Sequence, residues 1–169
     1  MTTTFRRTGA FASLLFAVAF TLTGCAESGS GTSLNDAPEA RELAPTSQDF
    51  GDYVVHFNAT TSDLLSPEDA AKYGITRSRS NALVNIVMLK KDGSPGHTPI
   101  SGTVTAKTSN LTGQLKSVTF EEITEGDAVY FIGMVSVANN ETLNFDIAAT
   151  PSDSNNPLNV KFQQQFFTK

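Results

Sequence analysis

Tyr53-Val54-Val55-His56-Phe57-Asn58-Ala59 places Tyr53, Val55, Phe57 and Ala59 in alternation with Val54, His56 and Asn58. A period of two means successive side chains point to opposite faces, which is the signature of a half-buried strand. The pattern recurs downstream. Leu83–Leu89 (LVNIVML) is apolar on both faces apart from Asn85, as a central strand of a packed sheet requires. Ile100–Thr108 sets Gly102, Val104 and Ala106 against Ser101, Thr103, Thr105 and Lys107. Lys116–Glu122 sets Val118 and Phe120 against Ser117, Thr119 and Glu121. Val129–Val137 opposes Val129, Phe131, Val135 and Val137 to Tyr130, Ile132 and Met134. Leu143–Ala149 and Leu158–Gln163 alternate in the same way. Turn chemistry separates these runs at Lys91–Gly96, Asn110–Gly113, Glu125–Asp127, Asn139-Asn140 and Pro151–Pro157. Short strands with hairpin-length links predict an all-β fold, an antiparallel immunoglobulin-like β-sandwich of about seven strands. Its expected core is Val55, Phe57, Val84, Ile86, Val104, Phe120, Phe131, Ile132, Phe145, Ile147 and Phe162.

One short helix is expected between the first two strands. Ser66-Pro67-Glu68-Asp69 supplies an N-cap, a proline at the first helical position and acidic residues in the first turn, and Gly74 supplies the stop. A helix of two turns is held by the sheets it lies on, not by its own propensity.

Upstream the composition changes twice. Residues 1–24 carry Arg6 and Arg7, then an apolar run from Ala10 to Leu22, then Leu22-Thr23-Gly24 before Cys25. A basic start, an apolar centre and a small-residue end read as a secretory signal peptide, and the run is shorter than the ~20 residues of a spanning helix. Leu-Thr-Gly-Cys resembles the bacterial lipoprotein signal, in which the cysteine is acylated and becomes the new N-terminus. Cys25 is the one cysteine of the chain and is assigned as the lipid attachment site. The flanks of Arg6-Arg7 match a twin-arginine signal poorly, so ordinary secretion is expected. By resemblance to enterobacterial lipoproteins, in which an Asp after the cysteine favours inner-membrane retention, Ala26 at that position implies a lipid anchor in the outer membrane facing the periplasm. Residues 25–48, rich in Ser, Gly, Thr, Ala, Pro and Glu, have too little apolar surface to offset ordering and read as a flexible tether. The folded domain is expected over 49–169.

Several blocks of that domain, Tyr53–Thr60, Leu65-Ser66-Pro67, Tyr73–Ser78, Val84-Asn85-Ile86, Asn140–Ile147 and Val160–Phe167, resemble the proteobacterial family known as domain of unknown function 4426. The resemblance covers roughly Asp49–Lys169 and implies small exported envelope proteins with a sandwich-like domain. It carries no catalytic or binding residue onto this chain.

Of 169 residues, 12 are basic and 17 acidic. Two of the basic residues lie in the leader, so the remainder sets ten against seventeen. An acidic balance argues against nucleic acid as a partner. One cysteine excludes a disulfide framework or a multi-cysteine metal site within the chain. His56 and His97 are the two histidines, with Met88 the nearest soft ligand in type, but no pair has ligand spacing on one strand. There is no nucleophile elbow and no phosphate-cradling glycine loop. Glu121 and Glu122 are adjacent on one strand and face opposite sides, a poor start for paired-carboxylate chemistry. No metal, no cofactor and no enzymatic activity are therefore expected.

Four residues remain as binding candidates. Arg77 and Arg79, two apart, fall on one side of an extended segment and can hold an anionic group, or else pair internally with Glu121, Glu122 or Glu125. His56 and Asn58 project from the first strand opposite its apolar face. The function expected is a non-catalytic binding or adaptor module. It would be anchored to the membrane through its N-terminal lipid and would contact another envelope protein. The alternative is a periplasmic small-ligand or metal binder built around His56, Arg77 and Arg79.

Overall fold

A computed structural model describes residues 45–169 of the chain; the leader, the lipid attachment at Cys25 and all of the expected tether before Pro45 lie outside the described residues. Among the described residues, ten strands form two antiparallel sheets. The first contains β1 (Ser47–Asp49), β2 (Tyr53–Thr61), β3 (Asn81–Lys90), β8 (Ala128–Ser136) and β7 (Phe120–Glu125), adjacent in that order, with β4 (Thr98–Pro99) pairing the end of β3. The second contains β10 (Leu158–Phe166), β9 (Glu141–Pro151), β5 (Gly102–Asn110) and β6 (Leu115–Lys116), in that order. Helix α1 (Pro67–Lys72) follows a single 3-10 turn (Ser62–Leu64) between β2 and β3. The domain is an all-β antiparallel sandwich with one short helix.

The alternation read from β2 is the alternation observed: Val55, Phe57 and Ala59 are buried, His56 and Asn58 exposed. β3 is central, paired along its length with β2 and over Asn81–Ile86 with β8. The inner faces of both sheets meet in one core that includes Val84, Ile86, Met88, Val104, Phe131, Leu143, Phe145, Ile147 and Val160. Phe162 of β10 lies between Phe57 of the first sheet and Phe145 of its own, with ring centroids 4.9 and 4.7 Å away. Stacked rings here bind the two sheets at the β2–β10 side of the sandwich.

Four expectations are corrected. The count is ten strands, because β1, β4 and β6 are two or three residues long and too short to display a period. The first of them starts at Ser47, and Thr46 O already accepts Phe57 N–H at 2.9 Å, so ordered pairing begins before the Asp49 boundary. The strand expected over Lys116–Glu122 is two strands in different sheets, β6 and β7, joined by Ser117–Thr119 as the chain crosses the sandwich. Alternation persists through a crossing because inward and outward sides remain defined there; Val118 and Phe120 both pack on the core. Ile132 is not in the core. It occupies the outer face of β8, next to Phe131, which is 2 % exposed on the inner face.

Candidate functional site

The outer face of the first sheet is where the chain departs from a plain sandwich. Cross-strand register places Asn58, Asn85, Ile132 and Glu121 in one row across β2, β3, β8 and β7. Thr60, Leu83 and Met134 form the neighbouring row. Ile123, paired with Tyr130 in the row on the other side, lies diagonal to Ile132, so Ile123, Ile132 and Met134 form an apolar run on a face that ordinarily meets solvent.

The segment between β2 and β3 packs over part of this face. Ser62, fully buried, fixes it with one hydroxyl that donates to Thr76 O at 2.9 Å and accepts Ser78 N–H at 2.9 Å. Ser66 caps α1 as its sequence predicts, its Oγ accepting Asp69 N–H at 3.0 Å, and Gly74 ends it at φ +64°, the left-handed conformation that glycine adopts freely. At the far end of α1, Lys72 and Tyr73 both reach Glu125 at the end of β7. Tyr73 Oη donates to Glu125 Oε2 at 2.5 Å, and Lys72 Nζ pairs with Oε1. The hydrogen bond from Lys72, then that from Tyr73, holds the Glu125 carboxyl below its ordinary range, and Glu125 raises both Lys72 and Tyr73 above theirs. These are exposed contacts; they orient the helix more than they stabilise the fold.

Between this roof and β7–β8 runs an open groove of about 480 Å³. Ile123, Ile132 and Met134 form its apolar floor, with Tyr73, Ile75 and Thr76 on one side and Ser117, Thr119 and Glu121 on the other. Among the described residues no cation lies within ion-pair distance of Glu121. An apolar floor, several hydroxyls and one unpaired carboxylate suit an extended segment that carries an apolar side chain and a positive charge.

The structure separates the four residues singled out from sequence. Arg77 donates from Nη2 to Asp63 O at 2.7 Å, and Arg79 Nε lies 3.3 Å from Asp63 Oδ2. Their internal partner is Asp63, not Glu121, Glu122 or Glu125: the 3-10 turn carries Asp63 back toward them, a local geometry with no periodic signal. Glu125 is taken by Lys72 and Tyr73, and Glu122 accepts Gly102 N–H at 3.2 Å. His56 and Asn58 lie elsewhere on the same sheet face, exposed, in a shallow second groove of about 300 Å³ shared with Thr46, Asn85 and Val87. Asn85 Oδ1 is buried there without a hydrogen-bond partner among the described residues. His97 is distant in kind, in the exposed loop before β4 at φ +61°. Among the described residues no three His, Cys, Asp or Glu side chains converge as a metal site. None of the groove residues Ile123, Ile132, Met134 and Glu121 is a binding candidate on sequence; the second apolar face of β8 marks Ile132 and Met134, whereas Ile123 and Glu121 lie on β7.

Residues 47–169 match the family model of DUF4426, a domain of unknown function. No curated protein matches the chain. Among solved structures, the crystal structure of a DUF4426 family protein from Pseudomonas aeruginosa PAO1 is similar at 28% identity and a TM-score of 0.63, over 73% of this chain and 94% of that one. The family match runs from the first strand to the last residue, and on that ground the chain belongs to the DUF4426 family.

Proposed function

We propose that this is a lipid-anchored, non-catalytic binding module of the bacterial envelope, whose groove beneath Tyr73–Thr76 receives an extended, basic segment of another envelope protein. Cys25 is the anchor in this reading, the segment between it and the first strand is the tether, and the outer membrane facing the periplasm is the location. The observation that carries the binding part is Glu121: a carboxylate without a cation partner among the described residues, in the same register row as the apolar Ile132. A segment with a Lys or Arg beside an apolar side chain satisfies both at once. Arg77 and Arg79 then act indirectly, holding the roof through Asp63.

The test is a photo-crosslinking residue at Thr119 of the full chain in the envelope, with and without Glu121→Lys. A discrete crosslinked partner that disappears with the charge reversal, while the thermal midpoint stays unchanged, supports the reading. Crosslinking indifferent to the reversal rejects the groove. Separately, Cys25→Ala should release the chain from the membrane fraction or leave its precursor unprocessed, and unchanged fractionation rejects the anchor.

A small-ligand reading has one observation in its favour, the unpartnered Asn85 Oδ1 beside His56 and Asn58. A ligand donor at that spot would restore the missing hydrogen bond. Co-purification of a small molecule that is lost on Asn85→Leu would favour it.

A further inference from the structure

Among the described residues, one strand of the sandwich is open along its whole outer edge. Exposed strand edges offer unpaired N–H and C=O groups to other chains, and proteins ordinarily blunt them with short strands, charges or prolines. Three edges here are blunted. β1 has three residues and β6 has two, so the open stretch behind β6 is the six residues Gly102–Lys107 of β5, which end on a lysine, and β7 carries Glu121, Glu122 and Glu125 on six positions. β10 is different. It is nine residues long, about 30 Å at the strand rise, has no proline, and among the described residues pairs with β9 alone. Its one charge, Lys161, is neutralised by Asp146 of β9 at 2.9 Å, and Gln163 is held by Asn144 of β9 at 2.8 Å. Nothing along this edge repels an incoming strand.

We propose that β10 pairs antiparallel with β10 of a second copy, joining the two four-stranded sheets into one of eight. The argument is self-complementarity, which a two-fold contact requires. Phe162 is the midpoint of Leu158–Phe166, so the register of greatest overlap places residue 162 on the axis. Lys161 then faces Gln163 of the other copy, and no two lysines meet. Leu158 faces Phe166, apolar against apolar. One step beyond the strand, Phe167, which is 61% exposed in the single chain, faces the exposed Pro157. The register thus covers an exposed aromatic that the isolated fold leaves in water.

The experiment uses two differently tagged full chains produced together in the envelope, one with Lys161→Cys and one with Gln163→Cys, under mild oxidation. Cys25 is the single native cysteine, so the parent chain measures the background. The expected result is a disulfide dimer joining the two tags, several-fold more abundant than the dimer from either variant alone or from Thr105→Cys, an exposed control on β5. Asn159→Cys with Gln165→Cys should behave likewise, because those positions are paired by the same register. Equal yields in every combination, or no dimer from both mixed pairs, overturns the proposal. Capture of β10 by a different protein instead of a second copy would appear as that second outcome.

Discussion

Lys116 of β6 and Glu141 of β9 form an ion pair of 2.6 Å with only 18% and 13% of their side chains exposed. Lys116 Nζ also donates to Ser136 O at the end of β8, at 2.8 Å, and Glu141 Oε2 accepts Ala138 N–H at 2.8 Å. One lysine thereby joins the second sheet to the last residue of a strand in the first, and one carboxylate fixes the β8–β9 turn, where Asn140 stands at φ +58°.

Removing one partner leaves the other charge half-desolvated. Lys116→Met is expected to destabilise the domain by about 2 kcal/mol, within the range for a hydrogen bond to a charged group and below that for breaking a fully buried pair. Burial pushes the Glu141 carboxyl up, but Lys116 and the Ala138 N–H more than reverse this and leave it lowered. A carboxyl lowered on folding contributes stability above its unfolded pKa of roughly 4.3, and that contribution is lost as pH falls through the folded value. Acid-side urea midpoints should therefore fall more steeply in the parent than in Glu141→Gln. The double variant should cost less than the sum of the singles, because each single leaves an unmatched group.

Thr108 faces the core of the second sheet at 1% exposure, and among the described residues its Oγ1 has no hydrogen-bond partner. A buried hydroxyl without a partner keeps its desolvation cost. Thr108→Val retains the shape and removes the orphan, so it should stabilise by about 1 kcal/mol, read from the urea midpoint at constant m-value. A loss of stability of that size would mean the hydroxyl has a partner in solution.

Gly102 and Gly133 are glycines for want of space. A Cβ on Gly102 would stand 2.1 Å from Thr150 O and 2.8 Å from Met88 Cε; one on Gly133 would stand 2.6 Å from Val118 Cγ1 and 3.0 Å from Phe120 Cε1. The first obstacle is backbone in the paired β9, the second is side chain on the crossing segment. Gly102→Ala should cost about 3 kcal/mol and Gly133→Ala less, about 1–2 kcal/mol. Reversal of that order in denaturation would show that the crossing segment, not the β5–β9 pairing, is the rigid part.

The strands of nine residues or more, the capped helix and most of the core are written locally in this chain. Alternation at Tyr53–Ala59 and a double apolar face at Leu83–Leu89 need no partner to be read, because the pleat itself fixes which side chains share a face. Ser66-Pro67 and Gly74 are likewise local, since a cap satisfies backbone groups within its own turn. What tertiary structure alone decided is everything that depends on which strand lies beside which. The segment through Ser117–Thr119 reads as one strand because its alternation is intact, yet only the packing of Val118 and Phe120 against Gly133 makes it a crossing between sheets. Ile132 and Phe131 are equally apolar in sequence, and only sheet order sends one to the core and the other to a groove. Asp63 meets Arg77 and Arg79, and Glu125 meets Lys72 and Tyr73 across more than fifty residues, because a helix returns over the sheet. Periodicity encodes the face a residue occupies; the neighbour it finds there is fixed by long-range pairing, which no local pattern contains.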